Sequence, residues 1–456
     1  MRRRTFSRTL LGALGAAVIP TVTRPRHAVR IGGAGATPGD DTLRVDGARI
    51  TSQLAQLAEF GKNPEGGVSR VAYSDFDREG RTWLHGVFRD AGLTPRIDLA
   101  GNILARVEGT DAALKPIVIG SHIDSVPRGG NYDGDVGTLS SIEVARTLLA
   151  AGRRLKHSLE VVCWQNEEGG LVGSRIVSGE FNESELEQRT NSGKTLREGI
   201  TFIGGDVARL AEAKRAGGSV AAYVELHIEQ GGTLDTRGLD IGVVEGIVAH
   251  HEWAVEVKGV QNHAGTTAMN RRHDALLAAS RFVQMVNRVA TREPGRQVAT
   301  VGRIQAFPGA ANVVPGRVTM TLDMRDLSDA VVRRMLALIE REAKAIGDAS
   351  GTTFAISPTN HHGASLSDPR IREIIRRSAQ SLNLSTLSLP SGAGHDAQSM
   401  SMLGPMGMIF VPSVGGISHA PTEFSKPVDI TNGANVLLRT VLALDDWGAA
   451  GRQGGR

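Results

Sequence analysis

Cysteine is nearly absent from this chain. Cys163 is the only one in 456 residues, so no intramolecular disulfide can form, and its place in an apolar run marks it as a core residue. Aromatic residues make up only 4%, which excludes a stacking platform for single-stranded nucleic acid. Long apolar runs are missing too. The nearest approach, Leu10 to Ile19, is short and built of Ala, Gly and Leu, so it does not make a spanning helix. Acidic residues are absent from the first thirty positions, which hold seven arginines. Removing those seven from the 52 basic residues leaves 45 against 48 acidic ones, and the net charge moves from +4 to −3. The body of the chain is mildly acidic, which removes the main support for a nucleic-acid role.

The charged start has its own reading. Arg2-Arg3-Arg4-Thr5-Phe6 followed by the apolar segment has the layout of a secretory signal of the twin-arginine type. Periplasmic or secreted localisation follows from residues 1–30, with a cytoplasmic protein if that segment does not act as a signal, and no stable membrane association after export. Residues 31–41, the end of a stretch from residue 21 rich in Gly, Pro, Thr and Arg, read as a linker. With 40% hydrophobic and 22% charged residues, the remainder has the composition of a soluble globular protein with ample core.

Alternating helical and apolar segments fill residues 42–247 and 362–448. Strands are expected at Pro95–Leu99, Ile103–Val107, Ile117–Ile119, Leu159–Trp164 and Met406–Val411, with helices from near Gly47 to Ala58 and over Leu139–Ala151. This is an α/β pattern with a mostly parallel sheet. Residues 248–361 change texture. Strand Glu252–Val260, helix Asp274–Val289, strands Val298–Ala306 and Arg317–Asp323, helix Asp329–Ile346 and strand Thr353–Pro358 give the order of a ferredoxin-like α+β insertion.

The richest chemistry lies in Gly-Ser-His-Ile-Asp-Ser-Val-Pro-Arg-Gly-Gly-Asn-Tyr-Asp-Gly-Asp-Val-Gly, residues 120–137. His122, Asp124 and Asp133 would sit at or just beyond a strand's C-terminal end, where open α/β sheets build their sites. Imidazole and carboxylate suit Zn²⁺, Mn²⁺ or Co²⁺, and Asp124 could hold the free ring nitrogen of His122. A polar, Gly-rich turn closing a βα unit would look similar. Comparable groups recur at Gln165-Asn-Glu-Glu-Gly169, Glu225-Leu-His-Ile-Glu-Gln-Gly231 and Gly416-Ile-Ser-His-Ala-Pro-Thr-Glu423. Adjacent Glu167 and Glu168 can divide metal binding from proton transfer. Alternation places Glu225, His227 and Glu229 on one strand face.

With these motifs, together with Asn262-His-Ala-Gly-Thr-Thr267 and Ser391-Gly-Ala-Gly-His-Asp-Ala397, the chain resembles the dinuclear-metal amidohydrolases related to glutamate carboxypeptidases and aminoacylases. More narrowly it is similar to the branch holding N-carbamoyl-L-amino acid hydrolase, β-ureidopropionase and allantoate amidohydrolase, over about residues 48–445. The resemblance implies two divalent ions (Zn, or Mn, Co or Ni) bridged by Asp133, with His419 and Glu168 completing one site and His122 and His227 the other. It makes Glu167 the general base and His263 an oxyanion-stabilising group supplied across a dimer or after domain closure. Asn312 and Arg325 match positions that hold a substrate carboxylate, Gln230 a substrate-contacting amide, and His395 a loop residue near the substrate.

The implied reaction is hydrolysis of the carbamoyl C–N bond of an N-carbamoyl-L-amino acid. Allantoate or β-ureidopropionate are alternative substrates, and N-acyl amino acids or dipeptides are poorer fits. A binding protein that has lost catalysis is the rival from another class. The insertion would serve as lid and homodimer contact. Three departures from the family pattern stand out: a shortened Gly169-Gly-Leu-Val-Gly-Ser-Arg175, Ala268 where Pro is common, and His273 where Arg or Gln is commoner. None removes a proposed ligand or the base.

Overall fold

The structure, a computed structural model, describes residues 40–446. The signal segment 1–30, linker residues 31–39 and the last two positions of the 362–448 segment lie outside the described residues.

Apolar residues spaced for burial set the first helix, Gly47–Leu57. Ile50, Leu54 and Leu57 share its inner face, and the Asp46 side chain accepts from the Arg49 amide at its start. The chain then builds a nine-stranded sheet. Its centre consists of four parallel strands, in the order Leu159–Trp164, Ile117–His122, Ala222–Ile228 and Met406–Val411. Every residue of these four is buried, as expected for strands covered by helices on both faces. The protein is thus a mixed α/β structure with a largely parallel central sheet. Because the four strands run the same way, their C-terminal ends lie side by side.

One buried ion pair pins the first of those ends. Arg70, 1% exposed, donates from Nη2 to both oxygens of the Asp135 carboxylate (2.8 and 2.6 Å), from Nε to the Ile123 carbonyl (2.6 Å) and from Nη1 to the carbonyls of Leu57 and Phe60 (2.9 and 3.1 Å). Removing one partner of such a pair costs about 3–5 kcal/mol, because it strands a buried charge. The pair ties the exit of strand Ile117–His122 to the first turn of helix Asp135–Ala150.

A second, antiparallel sheet follows, with strands in the order Ile304–Phe307, Arg317–Asp326, Ala249–Lys258, Thr353–His362 and Val298–Thr300 added beside Arg317–Asp326. Helices Ala275–Arg292 and Asp329–Ser350 bury Phe282, Met285 and Ile339 against Met320 and Leu322 of that sheet. The chain rejoins the large sheet at Ser365–Leu366, antiparallel to Ile241–Ile247.

Some expected elements differ. The strand expected over Val298–Ala306 is two strands, because four steps from Thr300 to Ile304 oppose only three from Asp323 to Met320. That one-residue bulge breaks the ladder. Strand Thr353–His362 continues past Pro358, where the sequence pattern ended it. It is an edge strand, so the missing Pro N–H is tolerated, and the register shifts between Pro358 and Asn360. Helix Asp135–Ala150 begins four residues before the expected Leu139, since Asp135 to Thr138 are polar or small yet buried.

Candidate metal centre

Each of the four parallel strands delivers one functional group at its C-terminal end, as open α/β sheets do. His122 closes its strand, Glu167 and Glu168 follow Trp164, His227 lies one residue before the end of its strand, and His419 is carried by the loop after Val411. Asp133 arrives on the loop between His122 and helix Asp135–Ala150. Gly134 just after it has φ +69°, and a Cβ there would meet the His122 ring at 2.4 Å, so only glycine lets this loop fold over the imidazole. Asn166, Gln230 and His419 also adopt left-handed backbone angles, with φ of 52°, 54° and 55°. Such strain concentrates where surrounding structure holds functional side chains.

The two Asp133 carboxylate oxygens face different partners. Oδ1 lies 3.0 Å from His227 Nε2 and 3.8 Å from His122 Nε2, while Oδ2 lies 3.1 Å from His419 Nε2. His419 Nε2 is also 3.4 Å from Glu168 Oε1. Two groups of ligand atoms result, His122 with Asp133 and His227, and Asp133 with Glu168 and His419. A third, fully buried group joins His227 to Glu225 and His395.

The tautomers fit cations at the first group. His122 Nδ1 lies 3.0 Å from the Asp124 carbonyl, and His227 Nδ1 lies 2.9 Å from the Ile228 carbonyl. Carbonyls only accept, so each Nδ1 carries a proton, which leaves Nε2, directed toward Asp133, as the nitrogen free to take a metal. His227 Nε2 and Glu168 Oε1 are buried without a hydrogen-bond partner. Lone pairs converging on a carboxylate call for a cation between them, so these residues suit a pair of bridged divalent ions.

Electrostatics agree. Burial and the charges of Glu168, Asp396, Asp133 and Asp124 hold Glu167 well above the ordinary carboxylate range. Burial together with Asp133 pushes Glu168 up to about 8. Burial alone would raise Asp133, but the imidazoles of His227 and His419 beside it, each pushed up to about 9 by that carboxylate in the absence of metal, hold it well below its usual value. Burial lowers His122 to about 4, keeping its imidazole neutral. Four carboxylates crowded into this dry corner leave a surplus of negative charge for metal to neutralise.

The supporting residues are only partly those the sequence suggests. The Asp124 carboxylate does not hold the His122 ring; its nearer oxygen is 3.7 Å away, and its backbone carbonyl takes that role. The side chain turns to the neighbouring strand end and accepts from the amides of Glu167 (3.2 Å) and Glu168 (3.1 Å), fixing the two glutamates together. Glu229 lies beyond its strand and accepts from the Thr233 and Leu234 amides, so it does not act with His227. Gln230 donates Nε2 to Asp133 Oδ2 at 2.7 Å and lines an adjacent cavity of about 720 Å³ together with Arg325 and His419.

Arg325 is paired with Asp323 (3.1 and 3.2 Å) and reaches across to the Gly392 carbonyl at 2.8 Å. His395 does not face the cavity. It is buried edge-on to His227, with ring centroids 4.4 Å apart, and bonds to Ser391 Oγ. His263 and Asn312 are exposed on a small ribbon, where Val313 pairs with His263, and neither lines the cavity.

Glu423 was within the quoted Gly416–Glu423 motif but carries more than its spacing revealed. Its Oε1 accepts from the amides of Tyr132 and Asp133 (both 3.0 Å), and its Oε2 from Ser418 Oγ (2.9 Å) and the His419 amide (3.2 Å). One carboxylate thereby positions both Asp133 and His419. Glu423→Ala is expected to weaken metal affinity about 10–100-fold while the fold persists. Competition against a chelating indicator, with circular dichroism as the folding control, reads both.

Residues 118–443 match the family model described as peptidase family M20/M25/M40. The chain belongs to this family. Among M20 relatives, an N-carbamoyl-L-amino acid amidohydrolase from Geobacillus stearothermophilus is 36% identical over 405 residues, covering 88% of this chain and 99% of the relative. A ureidoglycolate hydrolase from Arabidopsis thaliana is 35% identical over 421 residues, covering 88% and 87%. In structure, a hydantoinase/carbamoylase family amidase from Burkholderia multivorans superposes with a TM-score of 0.81 at 37% identity, covering 88% of this chain and 98% of that one. The protein is an M20 hydrolase of amide C–N bonds with metal-binding residue groups.

Proposed function

We propose that this M20 hydrolase cleaves the carbamoyl C–N bond of N-carbamoyl-L-amino acids, releasing ammonia, carbon dioxide and the free amino acid. The observation that carries the reading is Asp133, whose two oxygens divide between two ligand groups with Glu167 beside them. Two bridged divalent cations, when bound, supply acidification of water and polarisation of the scissile carbonyl. His122, His227 and Asp133 would hold one, and Asp133, Glu168 and His419 the other.

The remaining work falls to side chains. Glu167 Oε2, 3.8 Å from His122 Nε2, takes the proton of the attacking water and returns it to the leaving nitrogen. Its burial excludes solvent from that transfer. Arg325 lines the cavity with a planar fork suited to the substrate carboxylate, taking it in place of Asp323. Gln230, on the same wall, is placed to contact the ureido group. The same reading gives the antiparallel unit the lid and homodimer roles, bringing His263 and Asn312 to substrate, and gives residues 1–30 export.

A panel of N-carbamoyl-L-amino acids, β-ureidopropionate, allantoate, N-acetyl amino acids and dipeptides tests the proposal on metal-loaded enzyme. The N-carbamoyl compounds are expected to give the highest kcat/KM. Allantoate ranking first would move the assignment to the other ureido acid that Arg325 suits, and a preference for dipeptides would end the ureido reading.

A further inference from the structure

The cavity that Gln230 and His419 share is lined by more cationic than acidic side chains. Three arginines line it, Arg237, Arg296 and Arg325, against a single acid, Glu229. Most of these charges are already engaged. Arg325 is paired with Asp323, Arg296 with Glu245, and Glu229 accepts two backbone amides. Arg237 differs: it forms no hydrogen bond or ion pair among the described residues, and it is exposed toward the cavity space it lines.

Its position is fixed from both sides. Arg237 ends the short helix Thr233–Arg237. Glu229, the residue before Gln230, receives the amides of that helix's first two residues, at 2.8 Å each. Asp235 in its middle accepts the Gly415 amide at 2.9 Å and faces Lys426 Nζ at 3.3 Å. The Gly415 loop is the one that carries His419. The backbone bearing Arg237 is therefore tied to two loops beside the candidate metal centre, so the root of this side chain stands at a set place on the cavity wall. A cavity of about 720 Å³ leaves room beyond the α-carboxylate and ureido group of an amino-acid derivative.

We propose that Arg237 is a second anion-recognition point, reading the side chain of the substrate, and that the preferred substrates are N-carbamoyl amino acids with acidic side chains. The inference rests on the ureido reading for the scissile bond, but the recognition itself can be measured apart from turnover. An unpaired guanidinium on a concave wall gains most from a ligand carboxylate, which matches its fork bidentately. A neutral amide of the same shape cannot supply that charge.

Calorimetric titration of the full-length protein with L-glutamate and L-glutamine, the products of the two isosteric substrates, reads recognition without chemistry. Glutamate is expected to bind at least tenfold more tightly. Arg237→Gln is expected to collapse that ratio to near one, and Arg237→Lys to restore part of it. In steady-state assays, the kcat/KM ratio of N-carbamoyl-L-glutamate to N-carbamoyl-L-glutamine should fall in parallel in Arg237→Gln, through KM rather than kcat. No Arg237-dependent preference for the acid in either measurement overturns the proposal. An Arg237-dependent preference in binding, without hydrolysis of either N-carbamoyl compound, keeps the subsite and overturns the ureido reading instead.

Discussion

Glu167→Gln is expected to lower turnover by about 10²- to 10⁴-fold while leaving bound metal unchanged. Glutamine keeps the shape and the backbone amide that Asp124 holds, but its amide cannot accept and return a proton. Three observations favour this residue over its neighbour as the proposed base. Glu168 meets His419 at 3.4 Å and completes a ligand group, whereas Glu167 belongs to none of the candidate groups. Its Oε2 nevertheless lies 3.8 Å from the ligand His122. Burial and four surrounding carboxylates keep its proton affinity high, so it gains a proton readily as bound substrate is attacked. Elemental analysis beside steady-state kinetics separates the outcomes. A variant with full metal and full activity would exclude Glu167 from proton transfer, and one that loses metal would make it a ligand.

Asp133→Asn should have the broader effect, abolishing activity and metal retention together. Asparagine keeps one acceptor oxygen but replaces the other with a donor, which would face His227 or His419 in place of a ligand oxygen. It also removes the negative charge that lies between the two groups. Metal content is expected to drop from two ions per chain to fewer than one after dialysis. The melting temperature should stop responding to added divalent metal, because binding to the native state is what stabilises it. Retention of two ions by Asp133→Asn would show that Asp133 does not bridge them.

The central sheet was legible because strands buried on both faces read as continuous apolar runs; Leu159–Trp164 and Met406–Val411 fall where that pattern places them. Strand Ile117–His122 outlasts its apolar stretch, since Ser121 and His122 are polar yet buried, Ser121 by donating to Glu225 at 2.8 Å. The ligand residues were visible as polar groups just past apolar strands. What supports them was not. The Asp124 carboxylate serves amides 43 and 44 positions further on, and nothing in the local spacing of His122 and Asp124 distinguishes a carbonyl from a carboxylate as the ring's partner. Arg70 gave no signal at all, because its four partner residues come from three separate stretches of chain. Arg237 looks like any surface arginine until the fold sets it on a concave wall.

The reach of Glu423 has a consequence for how the protein is made. The amide of Asp133 is anchored by a residue 290 positions later, and His419 lies beside that anchor. A chain still emerging from the ribosome holds His122, Asp133, Glu168 and His227 long before it holds either. Ions met at that stage find an incomplete set of donors on a loop without its tether. Loading of the Asp133, Glu168 and His419 group is therefore expected only after synthesis has passed residue 423.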